Sequence, residues 1–364
     1  MRGLAVRLSS PSKSNSAGTK QYNLDIQISN FPQTAVNGGE IMAWHRGPSG
    51  VRWVFVADSD SFSLPQHKTD ECLLCPENAP KVKEIFSFEN SFDGWWVKTI
   101  KSIPPLPESF EEGGITNEGV GMFDCRSGHV HCEVIIETPE HNARLDTLPS
   151  NHINEIFQMY RIRYLTLAQD DRWKRIMIFK NHLMGTHKFF SHPHSIIMAV
   201  PFVTYRMSGE AALAHGYYQE KDRCLYCDTI AEQRRHFTND LVVEENKYWV
   251  AIVPFAARVP FEVQILCKRH ISLLEALKDY EWMDLASITQ RVIKRIVAVI
   301  GHDEPYSYSF HAANHHMNDH KDYHVHVEVL PAYGWCDMGR EVYFNPIKSE
   351  AAADMLRKVI LPVE

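Results

Sequence analysis

No long apolar run occurs in the 364 residues. The longest uninterrupted stretch, about Ile196 to Val203, falls far short of the ~18 residues that a membrane span requires, so the chain is expected to be soluble. Positive charge is not in excess either: 38 Lys and Arg against 45 Asp and Glu leave a formal net charge of −7. That balance argues against non-specific nucleic-acid binding, whose affinity comes largely from neutralised phosphates. Eight cysteines in a chain of this length are too few for a disulfide scaffold. The first twenty residues contain Arg2, Arg7, Lys13 and Lys20 and no acid, and they lack the apolar core of a secretory signal. Residues 1–20 therefore read as a solvated tail, and the protein as cytoplasmic. Apolar residues at 44% and charged residues at 23% are ordinary globular usage, which excludes disorder, collagen-like repeats and coiled coils as the main architecture.

Histidine is what the sequence has in abundance. Of 20 histidines, four lie between His182 and His194 and six between His311 and His326. Four of the cysteines form two Cys-x-x-Cys pairs, which in a reducing compartment points to metal. These features repeat. Cys72-Leu-Leu-Cys75 has a counterpart in Cys224-Leu-Tyr-Cys227, an isolated His141 in His270, and His192-Pro-His194 in His324-Val-His326. The last two offsets (141 to 270, 192 to 324) agree within three residues. The larger first offset implies an insertion, for which the Pro-, Gly- and Glu-rich stretch 101–120 is the natural place.

The pattern between these landmarks predicts an α+β unit used twice, an antiparallel sheet with a long helix. Ser272-Leu-Leu-Glu275 reads as a capping box ahead of the stripe Leu285, Ile288, Val292, Ile296, with Gly301 as the stop. Ser150 reads as the cap of a helix bearing Ile153, Ile156, Tyr160, Tyr164 and Leu167 on one face. In 323–331, His324, His326 and Glu328 alternate with apolar residues, as do His192 and His194 in their segment, so each His-x-His lies on one strand face. Polar residues with Gly209 and Gly216 interrupt the pattern at 204–222, which places two domains at 21–205 and 206–364.

Zinc takes four tetrahedral Cys and His ligands in closed structural sites. Cys72, Cys75, His141 and one of His192/His194 would fill one site. Cys224, Cys227, His270 and one of His324/His326 would fill a second, giving two zinc ions per chain. The other histidine of each pair is then anchored beside a rigid centre, and His194 is the candidate nucleophile, since a neutral imidazole both attacks phosphorus and leaves well. Cys125, Cys132, Cys267 and Cys336 read as buried thiols, and His129-Val-His131 has no cysteine pair to serve.

The sequence resembles the galactose-1-phosphate uridylyltransferase family of the histidine-triad superfamily, most closely its plant-type ADP-glucose phosphorylase branch. The matching pieces are CLLC at 72–75, FENSF at 88–92, EVIIETPEH at 133–141, FKN at 179–181, HPHS at 192–195, WVAIVPFAARVPFEVQIL at 249–266, YHVHVEVLP at 323–331 and YFNP at 343–346. The resemblance implies tandem histidine-triad domains, zinc on Cys72, Cys75, His141 and His192, a second zinc on Cys224, Cys227, His270 and His324, and His194 as the residue that carries a nucleoside monophosphate. It implies that Asn181 lies near the transferred phosphate, that Ser195 binds substrate, and that Asp337, Tyr343 and Asn345 contact the sugar phosphate. The expected substrates are a nucleotide sugar or dinucleotide with phosphate or a sugar 1-phosphate as acceptor, with no nucleic-acid or membrane partner and a homodimer as the assembly to test.

Some positions depart from the family pattern. Ile196 stands where the family carries a phosphate-binding Gln, His187 and Phe189 where it carries Gly and Ser, and Asp337 where a sugar-binding Glu is usual. Removing one preorganised donor typically costs ~10²–10³ in rate. Two functions are therefore weighed: a nucleotidyltransferase or phosphorylase with an altered phosphate pocket, and a zinc-stabilised nucleotide-binding protein with little turnover. A zinc-ribbon nucleic-acid binder is disfavoured by the net charge of −7.

Overall fold

The histidine-bearing strands sit at the middle of one long antiparallel sheet. The computed structural model describes residues 43–46, 53–56, 72–90, 94–102, 117–127, 130–183, 192–235, 240–313, 320–332, 336–338 and 342–361. Its strands in chain order are β1 (Ala43–Arg46), β2 (Trp53–Val56), β3 (Glu84–Asn90), β4 (Gly94–Lys101), β5 (Asn117–Val120), β6 (Phe123–Ser127), β7 (His131–Ile136), β8 (Arg175–His182), β9 (His194–Val200), β10 (Val242–Glu245), β11 (Trp249–Ile252), β12 (Val263–Cys267), β13 (Tyr306–His311), β14 (His326–Pro331), β15 (Cys336–Met338) and β16 (Val342–Phe344). The helices are α1 (Ser150–Leu167), α2 (Tyr205–Lys221), α3 (Leu225–Arg235), α4 (Asp279–Ile300) and α5 (Ser349–Lys358).

Ten strands pair antiparallel in the order β10-β11-β12-β14-β13-β8-β9-β7-β4-β3. Read outward from the β13–β8 seam, the two halves run β8-β9-β7-β4-β3 and β13-β14-β12-β11-β10, the same order of succession. A long helix follows the third strand of each half, α1 after β7 and α4 after β12. Smaller sheets join β2-β1-β6-β5 and β15-β16. Residues 42–364 form one compact unit.

The core lies between the sheet and the two long helices. Ile153, Ile156, Tyr160, Tyr164 and Leu167 of α1 are buried with Leu285, Ile288, Val292 and Ile296 of α4, over Ile178, Ile197, Ile265 and Val327 of the sheet. Burying a side chain of this size contributes about 1.5–3 kcal/mol, so the two stripes anchor the helices far more strongly than helix propensity does. The opposite sheet face is covered unevenly. In the second half, Tyr226 and Ile230 of α3 pack on Val250, Ile252 and Leu266. In the first half, Leu74 packs on Ile100, Val134 and Ile136.

Local starts differ from the sequence reading in three places. Helix α4 begins at Asp279, where the Lys278 N–H donates to Glu281 at 2.8 Å; Ser272 Oγ instead accepts from the His320 N–H at 3.1 Å, and 274–276 is a single 3-10 turn. The capping motif is thus one of two competing Glu-containing starts, and the one nearer the apolar stripe prevails. Helix α1 is entered through Pro149, with Ser150 its first helical residue. The stretch 204–222 is helix α2 rather than an interruption; Gly209 and Gly216 face open space and are tolerated there. Gly301 does end α4, at φ 107°, a conformation that favours glycine. Of the expected insertion, 117–120 is β5 and 103–116 lies outside the described residues.

Candidate active site and metal centres

Cys72, Cys75, His141 and His192 converge, their donor atoms all within 4.8 Å of one another. Cys75 Sγ lies 3.3 Å from His141 Nδ1 and 3.5 Å from His192 Nδ1, and Cys72 Sγ lies 3.8 Å from His192 Nδ1. Cys224, Cys227, His270 and His324 converge in the same way. Cys227 Sγ is 3.5 Å from His270 Nδ1 and 3.6 Å from His324 Nδ1, and Cys224 Sγ is 3.7 Å from His324 Nδ1. Zinc bond lengths of about 2.3 Å to sulfur and about 2.0 Å to nitrogen, at the tetrahedral angle, separate S from N by about 3.5 Å. Both clusters match that spacing.

The outer contacts settle which ring nitrogen faces the thiols. His192 Nε2–H donates to the Thr138 carbonyl at 2.7 Å, and His324 Nε2–H to the Cys267 carbonyl at 2.8 Å. Each donation leaves the Nδ1 lone pair directed at the cysteines, the arrangement that orients a ligating imidazole. Burial beside a second sulfur pushes the Cys75 thiol up to about 12, whereas hydrogen bonds from Cys227, His270 and His324 hold Cys224 far below its usual value. A thiolate stabilised by imidazoles is soft-donor chemistry, and both sets fit zinc.

His194 opens β9 two residues after His192. Its Nδ1–H donates to the His192 carbonyl at 2.8 Å, which leaves the lone pair on Nε2. The register pairs Phe179 with Ile196, and strand alternation then puts Asn181 on the same face as His194. On that face a cavity of about 150 Å³ opens between β8, β13 and the start of α2, lined by Arg175, Met177, Phe179, Arg206, Ser309 and His311. Ile196 is 2% exposed.

The remaining sequence-derived site residues are more dispersed. Ser195, expected to bind substrate, points to the opposite, helix-covered side: it is fully buried, and its Oγ bonds Glu137 and Tyr160. A residue next to His194 on a strand must face away from it, which the motif alone conceals. Tyr343 is 54% exposed on β16, and Asn345 Nδ2 donates to the Ala257 carbonyl at 3.0 Å. Asp337 pairs with Tyr343 through the backbone. The Asp337 side chain lies outside the described residues, as do His187 and Phe189. Cys132 and Cys267 are buried and Cys125 is half-buried; the Cys336 side chain and His129 lie outside the described residues.

Two groups escaped the sequence reading. Under β9 the Lys180 ammonium donates to Glu137 at 2.7 Å and to the His194 carbonyl at 2.9 Å, with both side chains almost fully buried. Burial works to raise the Glu137 carboxyl, but the Lys180 charge and the bonds from Lys180 and Ser195 outweigh it and hold the group below its usual range. The available signal was a charge beside or within an apolar run: Glu137 after 134–136, and Lys180 after 176–179. In the second half, Glu210 of α2 accepts from His311 Nδ1–H at 2.8 Å, and His311 stacks on His326 at 4.7 Å, a group drawn together by tertiary contacts alone.

The same fold occurs in known proteins. The family model described as "Galactose-1-phosphate uridyl transferase, N-terminal domain" matches residues 56–204, and the one described as the C-terminal domain of the same enzyme matches 200–331. The ADP-glucose phosphorylase of Arabidopsis thaliana is 28% identical over 312 residues, covering 83% of this chain and 86% of its own length. The galactose-1-phosphate uridylyltransferase of Thermotoga maritima is 28% identical over 333 residues, covering 87% and 98%. Among solved structures, a uridylyltransferase superposes with a TM-score of 0.73 at 24% identity, over 87% of this chain and 98% of its own. The Arabidopsis thaliana ADP-glucose phosphorylase with bound ADP-glucose gives 0.68 at 25% identity, over 88% of this chain and all of its own.

Proposed function

The chain belongs to the galactose-1-phosphate uridyl transferase family, and from that premise we propose that it moves a nucleoside monophosphate between sugar phosphates by way of His194. It is an enzyme of the nucleotidyltransferase type. In the first half-reaction His194 Nε2 attacks the α-phosphorus of a nucleotide sugar. The bond from that phosphorus to the bridging oxygen breaks, and sugar 1-phosphate leaves with the electron pair. In the second, an oxygen of inorganic phosphate or of another sugar 1-phosphate attacks the same phosphorus, and the P–N bond breaks to return the neutral imidazole. One observation carries this reading: the Nδ1–H bond from His194 to the His192 carbonyl at 2.8 Å, which fixes the attacking nitrogen. That bond also stabilises the ring as it gains positive charge.

Asn181 shares the face with His194 and is assigned to the transferred phosphate. Tyr343, Asn345 and Asp337 are assigned to the sugar phosphate. Two zinc ions per chain are assigned to the two Cys2His2 groups, whose four side chains would hold the metal and be cross-linked by it. The mirrored strand order supports tandem histidine-triad domains, at 21–205 and 206–364; the expected tail at 1–20 lies outside the described residues. A relative binds ADP-glucose, which favours an adenine-containing donor, with galactose-type acceptors next. A binding protein without turnover has no support among the relatives. No described helix is long and apolar enough to cross a membrane.

The test is mass spectrometry of the intact protein after incubation with ADP-glucose or UDP-glucose. A nucleotidyl adduct mapped to His194 is expected. Turnover with no adduct, or an adduct on another residue, would overturn the assignment.

A further inference from the structure

Three consecutive residues at the start of β9 are each held by the same buried pair. The Glu137 N–H donates to the Pro193 carbonyl at 3.0 Å. Lys180 Nζ donates to the His194 carbonyl at 2.9 Å. Ser195 Oγ donates to Glu137 Oε1. The pair is itself fixed from outside: Lys180 Nζ meets Glu137 Oε2 at 2.7 Å, and His152 Nε2–H donates to the Glu137 carbonyl at 2.6 Å. Because the Ser195 proton is committed to Glu137, Tyr160 must donate to Ser195 at 2.6 Å and Tyr308 to Tyr160 at 2.7 Å, which closes the network. The next carbonyl along the chain, that of Thr138, takes the Nε2–H of His192. Residues 137–138 thus reach both the metal-facing His192 and the segment bearing His194.

A buried ion pair is a poor means of stabilising a core, because apolar groups of the same volume usually serve as well or better. What this pair supplies is direction. It lies on the helix-covered face of the sheet, while His194 projects from the other face, so it touches the nucleophile through the peptide alone.

The geometry points to Lys180 and Glu137 as positioning residues that fix the 193–195 peptides and thereby aim the His194 ring at phosphorus. This inference rests on His194 as the nucleophile. The His194 carbonyl has its donor in Lys180, and the ring swings about bonds that start at that same residue. Displacing an attacking atom by about 1 Å typically costs on the order of 10²-fold in rate.

The test compares Glu137→Gln/Lys180→Met, which leaves no orphaned charge, with the charge-swapped Glu137→Lys/Lys180→Glu. Metal content and Tm report folding, and quenched-flow mass spectrometry with ADP-glucose and with UDP-glucose reports adduct formation. Both variants should keep their metal and fold, form adduct about 10²-fold more slowly at saturation, and reach half-saturation at the wild-type concentration. The swapped pair restores the ion pair but not the donor to the His194 carbonyl, so a purely structural role predicts its recovery and a positioning role does not. Wild-type rates in either variant would overturn the inference. Should neither fold, Ser195→Ala removes one tie alone, and an unchanged rate there would overturn it equally. Should the wild-type protein form no adduct on His194, the nucleophile reading fails by itself. The positioning claim is then judged by the His194 ring nitrogen-15 shifts: a changed Nδ1–H signal in the variants supports it, and an unchanged one overturns it.

Discussion

His194 and His326 are held alike: each donates its Nδ1–H to the carbonyl of the histidine two residues earlier, at 2.8 and 2.9 Å. Their surroundings differ. His326 stacks on Tyr226 and on His311, both at 4.7 Å, and its Nε2 has no hydrogen-bond partner among the described residues. Tyr226 comes from between the cysteines of the second pair; in the first pair that place holds Leu74, which packs on Ile136. A ring stacked against two others and 1% exposed, against 5% for His194, suits a packing role better than a nucleophile's. His194→Asn should therefore abolish nucleotidyl adduct formation while metal content and Tm stay near wild type. His326→Asn should leave the adduct in place and lower Tm. Loss of the adduct in His326→Asn with its retention in His194→Asn would reverse the assignment of the two halves.

Two zinc ions per chain are expected by elemental analysis, one for each Cys2His2 group. Cys224→Ser should remove one of them and lower Tm by several degrees, because a structural metal contributes its binding free energy to folding. Adduct formation should persist, since the affected cluster lies in the other half of the sheet. A wild-type ratio in Cys224→Ser would show that this cysteine is not a ligand.

Both four-residue clusters were legible in the sequence because Cys and His at repeated spacing have few other uses, and because apolar period fixed the strand faces. The α1 and α4 stripes were legible for the same reason. What escaped depended on contacts between distant segments. Glu137 just follows β7 and Lys180 lies in β8, and the pairing of both strands with β9 brings the two together. Ser195 was misread because family motifs name residues without saying which way they point. The α4 start was misplaced because Ser272 found a partner in the His320 N–H, 48 residues away in the chain.

His182 links pH to stability. Burial, together with the Lys180 charge, pushes it down to about 4, and its ring lies 4.7 Å from that of Tyr306. The unfolded chain takes up this proton near the ordinary value of about 6.5 and the folded one only near 4, so the folded state is the poorer proton binder in between. Its contribution is complete above about 6.5 and is lost as pH falls from there through 4. After discounting for partial exposure this amounts to about 2 kcal/mol. His182→Phe keeps the ring contact and removes the titration, so its Tm should fall less between pH 6.5 and 4.5 than that of the wild type. Parallel Tm curves for the two proteins would refute the linkage.

Ile196 offers a test of where the phosphate passes. It lies two residues beyond His194 on the same face, paired with Phe179 on one side and Val134 on the other, and it is 2% exposed. An apolar side chain there offers no hydrogen bond to a phosphate held at His194. Ile196→Gln restores a donor of similar length, and one preorganised donor is worth ~10²–10³ in rate where it meets developing charge. Adduct formation from ADP-glucose should therefore rise by at least about tenfold. Without ligand the new amide is buried between apolar neighbours, which costs about 1–3 kcal/mol. The free variant should melt lower than wild type, and ADP-glucose should recover more of the loss than it adds to the wild type. If Ile196→Gln melts lower and reacts no faster with either ADP-glucose or UDP-glucose, the phosphate does not pass beside residue 196, and its binding falls to Asn181.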